Sequence, residues 1–450
     1  MLSESEILRR RDMRAVLTFT IDPAEAKDFD DALSFQKADE DTCQVGVHIA
    51  DVTHYVEPDS DWDKRAYELG TSTYLVDRVL PMLPEELSND RCSLNPHEDK
   101  LCMSVVFTLS RDAHVQKYKV CRTVINSDRR FNYDEVLPVL EGRASTGDAA
   151  LDEALRTLND LAKQLRQRRM QAGALDLEQD ELRFTLNEAG EPVDVWFHKG
   201  TEANHLIEEF MLLANRTVAT HMGKAGKQMV YRIHDKPDIE KLDSLERFKR
   251  KMGEKVPAAT LDMLLVRAMA KAVYSTHNIG HYGLAFDYYT HFTSPIRRYP
   301  DMMVHRLVAQ YILGERRQTR GRWFEDLEES CRHCSDTEQA AAQAERDSQK
   351  EMLCRYIAGH IGEVQEGVIV NVMDFGLFVQ LTASHAEGLV PIRTICPGQY
   401  LQLDEKNYCL RTHPSSGKDA KHVFTLGDTV QVRITRADAE KRQIDFELVE

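Results

Sequence analysis

The sequence has few of the features that mark membrane, secreted or fibrous proteins. None of its apolar runs approaches the roughly 18 residues that a transmembrane helix needs, and the opening stretch MLSESEILRRRDMR contains no apolar signal-peptide core. The nine cysteines are scattered along 450 residues and do not form a disulfide framework. No internal repeat with a period of about 20 to 50 residues is present. These absences predict a cytoplasmic protein without membrane association.

Positive charge is also scarce. The 58 lysines and arginines face 74 aspartates and glutamates, which gives a formal net charge of −16. An acidic chain is less expected to bind nucleic acid, but binding depends on where the basic residues lie. Four basic clusters, KQLRQRR, RFKRK, SPIRRYP and GERRQTRGR, keep that function open. The alternative is that they are solvated helix surfaces, the commoner role of such runs.

The secondary-structure pattern changes twice along the chain. Residues 15–124 contain short runs rich in β-branched and aromatic residues, whereas residues 133–361 show mainly helical periodicity. From Gly362 onward at least four strands are predicted, enough for a small OB-type barrel. We therefore predict an α+β fold. Residues 1–355 would form a domain with a mixed β-sheet core surrounded by helices, and residues 356–450 a five-stranded OB-fold barrel.

The stretch TIDPAEAKDFDDALSF crowds four aspartates together: Asp22, Asp28, Asp30 and Asp31. TFTID predicts a strand that ends at Asp22, and KDFDD predicts a loop that leads into the strand DALSF. Asp28 and Asp30 alternate with Phe29, so we expect them to share one side while Phe29 packs inward. Carboxylates this close repel one another unless a cation lies among them, and oxygen-only ligation suits Mg²⁺ or Mn²⁺.

Hard cations held by several carboxylates commonly clamp phosphate oxygens and lower the pKa of a bound water. The predicted reaction is therefore phosphodiester hydrolysis. Two other interpretations stay open, an acidic surface loop and a Ca²⁺ site. The segment lacks the glycine and the terminal glutamate of an EF-hand.

Six stretches resemble, in order, the signature blocks of the RNase II / RNase R (RNB) family, and the match is closer to RNase R. They are TFTIDPAEAKDFDDALSF, VHIADVTHYV, PMLPEELSNDRCSLNP, NHLIEEFMLLANRTVA, YRIHDKPD and HYGLAFDYYTHFTSPIRRYPDMMVHR. The remainder resembles the family's C-terminal S1-like RNA-binding domain. The resemblance implies a processive, Mg²⁺-dependent 3′→5′ exoribonuclease that hydrolyses single-stranded RNA to nucleoside 5′-monophosphates. We expect a monomer acting in RNA turnover.

The resemblance also implies roles for individual residues. Asp22, Asp28 and Asp31 match the metal-organising positions. Asp30, counted as a fourth metal ligand, matches the one needed for turnover but not for RNA binding. Arg297 matches the residue that holds the scissile phosphate, which suits the bidentate fork of a guanidinium group. Glu345 matches a glutamate that helps to position the terminal nucleotides, and Tyr74 matches an aromatic that stacks on the 3′-terminal base. The alternative for each of these three residues is an ordinary surface or packing role.

Further RNA contacts are predicted outside this set. Glu208 lies off the apolar face of its predicted helix, and Arg298 follows Arg297 in SPIRRY. In the barrel, Phe375, Phe378 and His385 match the face on which such domains stack bases. We expect one of the two phenylalanines to face the barrel interior.

The sequence departs from the family pattern in ways that concern RNA handling. Asp22, the first aspartate of the cluster, lies only about twenty residues into the sequence. The cold-shock barrels that usually precede the catalytic domain are therefore expected to be missing. The lysine-rich tail common in RNase R is also expected to be absent. Leu177 stands where the family often has a phenylalanine that partners the tyrosine of the base clamp. These departures are expected to affect RNA affinity and processivity more than the chemistry.

Two alternative functions remain, an inactive RNA-binding scaffold and an exonuclease that also acts on DNA. Retention of all four aspartates and of Arg297 favours turnover over the scaffold. A structural zinc site is a further hypothesis, because cysteines and histidines recur near the end of the helical region. Its candidate ligands are Cys331, His333, Cys334, Cys354 and His360.

Overall fold

The computed structural model describes residues 3–176, 180–238, 264–266, 268–315, 320–412 and 423–449, together with residues 243 and 250. The helices are α1 (Glu4–Leu8), α2 (Val52–Tyr55), α3 (Asp61–Leu69), α4 (Tyr133–Leu140), α5 (Ala149–Gln171), α6 (Glu202–Lys224), α7 (Tyr299–Tyr311), α8 (Arg322–Glu325), α9 (Leu327–Ala358) and α10 (Ile392–Ile395). The strands are β1 (Arg11–Asp12), β2 (Thr18–Asp22), β3 (Asp31–Lys37), β4 (Thr42–Ala50), β5 (Thr73–Tyr74), β6 (Val79–Leu80), β7 (Asp99–Ser110), β8 (Val115–Asn126), β9 (Arg129–Asn132), β10 (Glu181–Leu186), β11 (Pro192–His198), β12 (Tyr231–Ile233), β13 (Val273–Ser275), β14 (Val364–Met373), β15 (Gly376–Leu381), β16 (Glu387–Pro391), β17 (Leu401–Asp404), β18 (Cys409–Thr412), β19 (Val423–Thr425), β20 (Thr429–Asp438) and β21 (Gln443–Val449).

A seven-stranded sheet in the order β1-β8-β7-β4-β3-β2-β9 forms the centre of the N-terminal part. The pairs β1–β8 and β2–β9 are parallel and the others are antiparallel. β2 is buried at all five positions, which fits a strand covered on both faces. The predicted strand end at Asp22 and the strand start at Asp31 are therefore confirmed, as is the mixed sheet.

Helices α4 to α7 complete the core around this sheet, and most of their apolar residues join one buried cluster with those of the strands. α4 begins with a capping box, in which Asn132 accepts from the Glu135 N–H and Glu135 accepts from the Asn132 N–H. Asn132 lies opposite Asp22 in the parallel β2–β9 pair. The cap thus fixes the start of α4 beside the end of β2.

The helical region contains the β10–β11 hairpin and a further strand pair that the periodicity did not reveal. β10 pairs with β11, and β12 pairs with β13, both antiparallel. Leu182, Phe184 and Val195 of the hairpin pack against the buried cluster of the C-terminal barrel. Their apolar positions alternate, but the run is short and lies between long helical stretches.

The C-terminal part forms a closed five-stranded barrel in the order β14-β15-β16-β21-β20, which confirms the predicted barrel. A three-stranded sheet, β17-β18-β19, is inserted between β16 and β20. Leu353 and Ile357, near the end of α9, are part of the buried cluster of the barrel. α9 also crosses the predicted boundary between residues 355 and 356, and that boundary stays a prediction.

Within the described ranges, no helix combines the length and the apolar character that a membrane span requires.

A buried ion pair joins α3 to α7. The Arg306 side chain is 0% exposed, and its Nη2 donates to Asp63 Oδ1 at 2.7 Å and to the Val56 carbonyl at 3.1 Å. The Tyr299 hydroxyl donates to the same Asp63 oxygen at 2.9 Å. Because both charges are out of water, removal of one leaves the other buried and uncompensated.

We expect Asp63→Ala to lower the free energy of unfolding by about 3 to 5 kcal/mol, because Arg306 loses its counter-ion. Asp61→Ala, two residues away on the exposed side of α3, should cost less than about 1 kcal/mol. Urea unfolding of both variants and the parent measures the difference. Equal losses for the two aspartates would contradict a dominant role for the buried pair.

Candidate active site

The loop that carries Asp28 and Asp30 is pinned from two directions. The Phe29 N–H donates to Ser93 Oγ at 2.9 Å, and the Phe29 carbonyl accepts from the Leu94 N–H at 3.0 Å. On the other side, Arg130 Nη2 donates to the carbonyls of residues 23 and 24, each at 2.8 Å. Phe29 is 7% exposed, so its predicted inward packing is confirmed.

Asp30 lies at the centre of the site and is held by backbone from two distant segments. The Ile296 N–H donates to Asp30 Oδ1 at 2.8 Å, and the Ala50 N–H donates to the Asp30 carbonyl at 2.8 Å. Arg297 Nε lies 4.0 Å from Asp30 Oδ2. The structure thus brings together the aspartate loop and the SPIRRY segment, which are far apart in sequence.

Burial raises the pKa of all four aspartates of the loop. The pKa of Asp31 rises to about 7 in spite of the opposing charges of Arg297 and Arg298. The carboxylates of Asp31 and Asp28 add to the rise for Asp22. Loss of contact with water thus outweighs the nearby arginine charges and disfavours the charged form of these carboxyl groups when no cation is present.

This set of oxygens fits a hard divalent cation. Asp22 Oδ2 is buried and has no hydrogen-bond partner among the described residues, and the donors are all carboxylate oxygens, the ligands that Mg²⁺ and Mn²⁺ prefer. In the described part of the chain, however, no three His, Cys, Asp or Glu side chains are close enough together to hold a metal ion as they stand. Binding a cation would therefore draw the carboxylates inward against their mutual repulsion.

Arg297 is anchored through its backbone to the segment that leads into the strand of Tyr74. The Arg297 carbonyl accepts from the Ser72 N–H at 2.9 Å and from Thr71 Oγ1 at 3.0 Å. Its guanidinium donates to Ser294 Oγ at 3.0 Å, and its side chain remains 42% exposed. The arginine is therefore anchored at its backbone and leaves its charged end accessible.

Tyr74 projects from the short β5 strand and is 42% exposed. Its N–H donates to Glu345 Oε1 of α9 at 2.8 Å, and the Val76 N–H donates to Ser348 Oγ at 3.1 Å. Partial burial raises the pKa of Tyr74 to about 12, and the charges of Asp28 and Asp30 act in the same direction. The structure thus places Tyr74, Glu345 and the aspartates at one site.

Arg298 and Glu208 are engaged in ion pairs. Arg298 Nη2 donates to Asp301 Oδ1 at 2.9 Å, and its side chain is largely buried at the start of α7. Glu208 lies on the exposed side of α6 and accepts from Arg169 Nη2 at 3.3 Å. Their RNA contacts stay predictions, and the geometry gives Arg298 a structural role at the start of α7.

Three of the predicted RNA contacts belong to the C-terminal barrel. Phe375 is 47% exposed and Phe378 is half-buried, with ring centroids 6.1 Å apart. The expectation that one of them faces inward is wrong, because Leu377 and Val379 fill the interior. His385 is exposed, and its ring lies 4.1 Å from that of Phe197 on β11. Leu177 falls outside the described residues.

The zinc hypothesis receives no support from the described residues. Cys331 and Cys334 are buried in the main core, whereas Cys354 is in the cluster of the barrel. His333 Nε2 donates to the Tyr67 carbonyl at 2.7 Å, and His360 contacts Glu363.

Sequence reasoning missed two residues beside the aspartates. Arg130 holds the loop carbonyls, and its charge opposes the rise in the pKa of Asp22. Tyr133 begins α4, and the charges of Asp31 and Asp22 raise its pKa further after burial. The signal that would have found them is the parallel β2–β9 pairing, which local sequence patterns do not display.

Residues 10–314 match the model of the RNB domain, and residues 360–448 match that of the S1 RNA binding domain. The chain belongs to the RNB family. Ribonuclease R of Aquifex aeolicus is 39% identical to this chain. The match covers 100% of this chain and 66% of that protein. Ribonuclease R of Thermotoga maritima is 40% identical over 99% of this chain and 66% of its own length. The RNB chain thus spans just under two thirds of the length of these relatives.

Solved structures agree with this membership. RNase R of Mycoplasma genitalium, in complex with ribose methylated single-stranded RNA, has a TM-score of 0.91 at 26% identity. The match covers 100% of the RNB chain and 73% of that protein. Yeast Ssd1, a pseudonuclease, has a TM-score of 0.75 at 21% identity over 92% of this chain and 54% of its own. The fold alone therefore does not establish turnover, which depends on the site.

Glu345→Ala should speed hydrogen exchange of the Tyr74 amide by about tenfold or more, because that amide loses a charged acceptor. Glu345→Gln retains an acceptor oxygen, so exchange of the Tyr74 amide should be slower in this variant than in Glu345→Ala. Exchange measured by NMR, with amides of β7 as the internal reference, tests the contact. Unchanged exchange in Glu345→Ala would show that the glutamate does not hold the strand.

Proposed function

We propose that this chain is a metal-dependent 3′→5′ exoribonuclease that hydrolyses single-stranded RNA processively to nucleoside 5′-monophosphates. The observation that carries the proposal is the site itself. Four aspartates with raised pKa values, of which Asp22 and Asp30 are buried and Asp28 and Asp31 half-buried, lie beside an anchored, accessible arginine and an exposed tyrosine held by Glu345. RNA handling is supported by the S1 match and by the solved RNA complex of the Mycoplasma genitalium relative.

The residues divide the work between holding the RNA and arranging its scissile phosphate. Tyr74 offers a ring on which the terminal base stacks, and Glu345 fixes the strand that carries it. Arg297 donates from its guanidinium to the phosphate and opposes the charge that develops there. Asp30 Oδ2 lies 4.0 Å from Arg297 Nε, so it is close enough to the phosphate held by the arginine to orient the attacking water and accept its hydrogen bond.

Asp22, Asp28, Asp30 and Asp31 would hold Mg²⁺ or Mn²⁺. When bound, such a cation supplies charge to the phosphate oxygens and lowers the pKa of a bound water. The aspartates bring the negative charge that attracts it, and Arg130 keeps their loop in place.

The proposal includes a monomeric protein acting in the cytoplasm. The cytoplasmic location is supported by the nine cysteines, which are all reduced thiols in the structure, as is usual in a reducing compartment.

The direct test is incubation of 3′- and 5′-labelled single-stranded RNA and DNA with the protein, in Mg²⁺, in Mn²⁺ and in EDTA. We expect 3′ label to be released as mononucleotide at once. With RNA in excess, 5′-labelled strands should pass from full length to a short end product with few intermediates, and EDTA should stop both. RNA should be degraded much faster than DNA if the site contacts the 2′-hydroxyl. Absence of cleavage with retained RNA binding would favour the inactive scaffold.

Asp30→Asn should reduce turnover by about a thousandfold or more, which corresponds to several kcal/mol of activation barrier. The amide oxygen still accepts from the Ile296 N–H, so the loop is expected to keep its shape and RNA binding to survive. Asp41→Asn removes the same charge from an exposed site and should behave as the parent does. Turnover of Asp30→Asn within tenfold of the parent would contradict the assignment.

Tyr74→Ala should leave longer end products, because the RNA is released once too few bases remain to be gripped by stacking. Tyr74→Phe keeps the ring and should give the parental ladder. Leu177→Phe is expected to shorten the end product if an aromatic completes the clamp. A denaturing gel of 5′-labelled oligoadenylate digested to completion compares the variants, and identical ladders for the parent and Tyr74→Ala would make Tyr74 a packing residue.

A further inference from the structure

The β10–β11 hairpin has one packed face and one open face. Leu182, Phe184 and Val195 pack against the barrel and the end of α9. Because side chains alternate along a strand, the residues between them project to the opposite side. Arg183 and Trp196 are cross-strand partners on that open side.

Trp196 is 45% exposed, although a tryptophan gains more than most residues from leaving water. The His198 ring lies on the same face, with its centroid 6.5 Å from that of Trp196. Arg183 is also accessible and pairs with Glu181 at 3.0 Å. An exposed ion pair of this kind contributes little and is readily exchanged for another anion.

The hairpin lies between the two parts of the molecule that are expected to handle RNA. Phe197, adjacent to Trp196, contacts the ring of His385 in the region that matches the S1 RNA binding domain. Arg355 and Glu191 form an ion pair at 3.1 Å between α9 and the hairpin turn. In the other direction β11 leads within a few residues into α6, which carries Glu208. The packed face and the turn of the hairpin are therefore joined to the barrel and to α9, which places the open face with Trp196 next to them, and the chain continues from β11 into α6.

We propose that the open face of the β10–β11 hairpin is a stacking site for single-stranded RNA, with a base on Trp196 and a phosphate on Arg183. Stacking tolerates any base because every base has a π-face, and a neighbouring arginine adds a contact to the backbone. The site would guide the strand between the barrel and the aspartate loop. It rests on the proposed function, since it assumes that RNA is the substrate.

Tryptophan fluorescence gives a test that does not depend on activity. The chain has three tryptophans, of which Trp323 is 1% exposed and Trp62 is 40% exposed. In an Asp30→Asn background, Trp62→Phe leaves Trp196 as the accessible fluorophore, whereas Trp196→Phe leaves Trp62. We expect oligoadenylate of about 20 nucleotides to quench the first protein and not the second. Equal quenching, or none in the first protein while RNA is bound, would overturn the proposal.

Binding measured by fluorescence anisotropy of labelled RNA gives the second readout. Trp196→Ala should weaken binding by about tenfold, as expected for one lost stacked base, and Trp196→Phe should recover most of it. Trp62→Ala is the matched control and should not change binding. If Trp196→Ala binds as tightly as the parent, the face serves another purpose, such as contact with a protein.

The two proposals fail in different ways. If the parent degrades labelled RNA, but RNA does not quench Trp196 fluorescence and Trp196→Ala does not weaken binding, only the stacking site is wrong. If neither the parent nor the Asp30→Asn background binds RNA, the proposed function is wrong and the stacking site falls with it.

Discussion

The hydrogen bond from the Ile296 N–H to Asp30 is the contact on which the arrangement of the site depends. It joins segments 266 residues apart. A carboxylate that is 5% exposed needs such a donor, because an unpaired buried charge is costly. In the next residue of the same turn, the Arg297 carbonyl accepts hydrogen bonds from the Ser72 N–H and from Thr71 Oγ1. One backbone turn thus sets the aspartate, the arginine and the strand of Tyr74 relative to one another.

The aspartate loop is stable despite its charge because neighbouring backbone and arginines hold it. Arg130 and Ser93 fix its carbonyls and amides, and Arg298, which opposes the rise in the pKa of Asp31, is itself committed to Asp301. The carboxyl groups therefore keep raised pKa values, an arrangement that is poor for stability but suited to attracting a cation. Sites of this kind trade folding free energy for function.

The parts of the fold and site that depend on short-range patterns could be predicted from the sequence. The strand ends at Asp22 and Asp31, the inward Phe29 and the five-stranded barrel all follow from alternation and turn residues. Arg130 and Tyr133 could not be found in this way, because they reach the site only through the parallel pairing of distant strands. The β10–β11 hairpin was hidden for a different reason, since its short alternation lies within a helical region. In the barrel, Phe375 precedes β15, so alternation did not set its direction.

The barrel is packed into the rest of the molecule and is not a separate appendage. Leu353 and Ile357 of α9 belong to its buried cluster, and the β10–β11 hairpin covers part of the same surface. The same helix carries Glu345, which holds the strand of Tyr74. Removal of the barrel at Gly362 would therefore expose apolar residues of α9 and disturb the helix that supports the site. Because of this shared helix, the barrel's contribution to RNA binding is better separated from catalysis by exposed substitutions such as Phe375→Ala than by truncation.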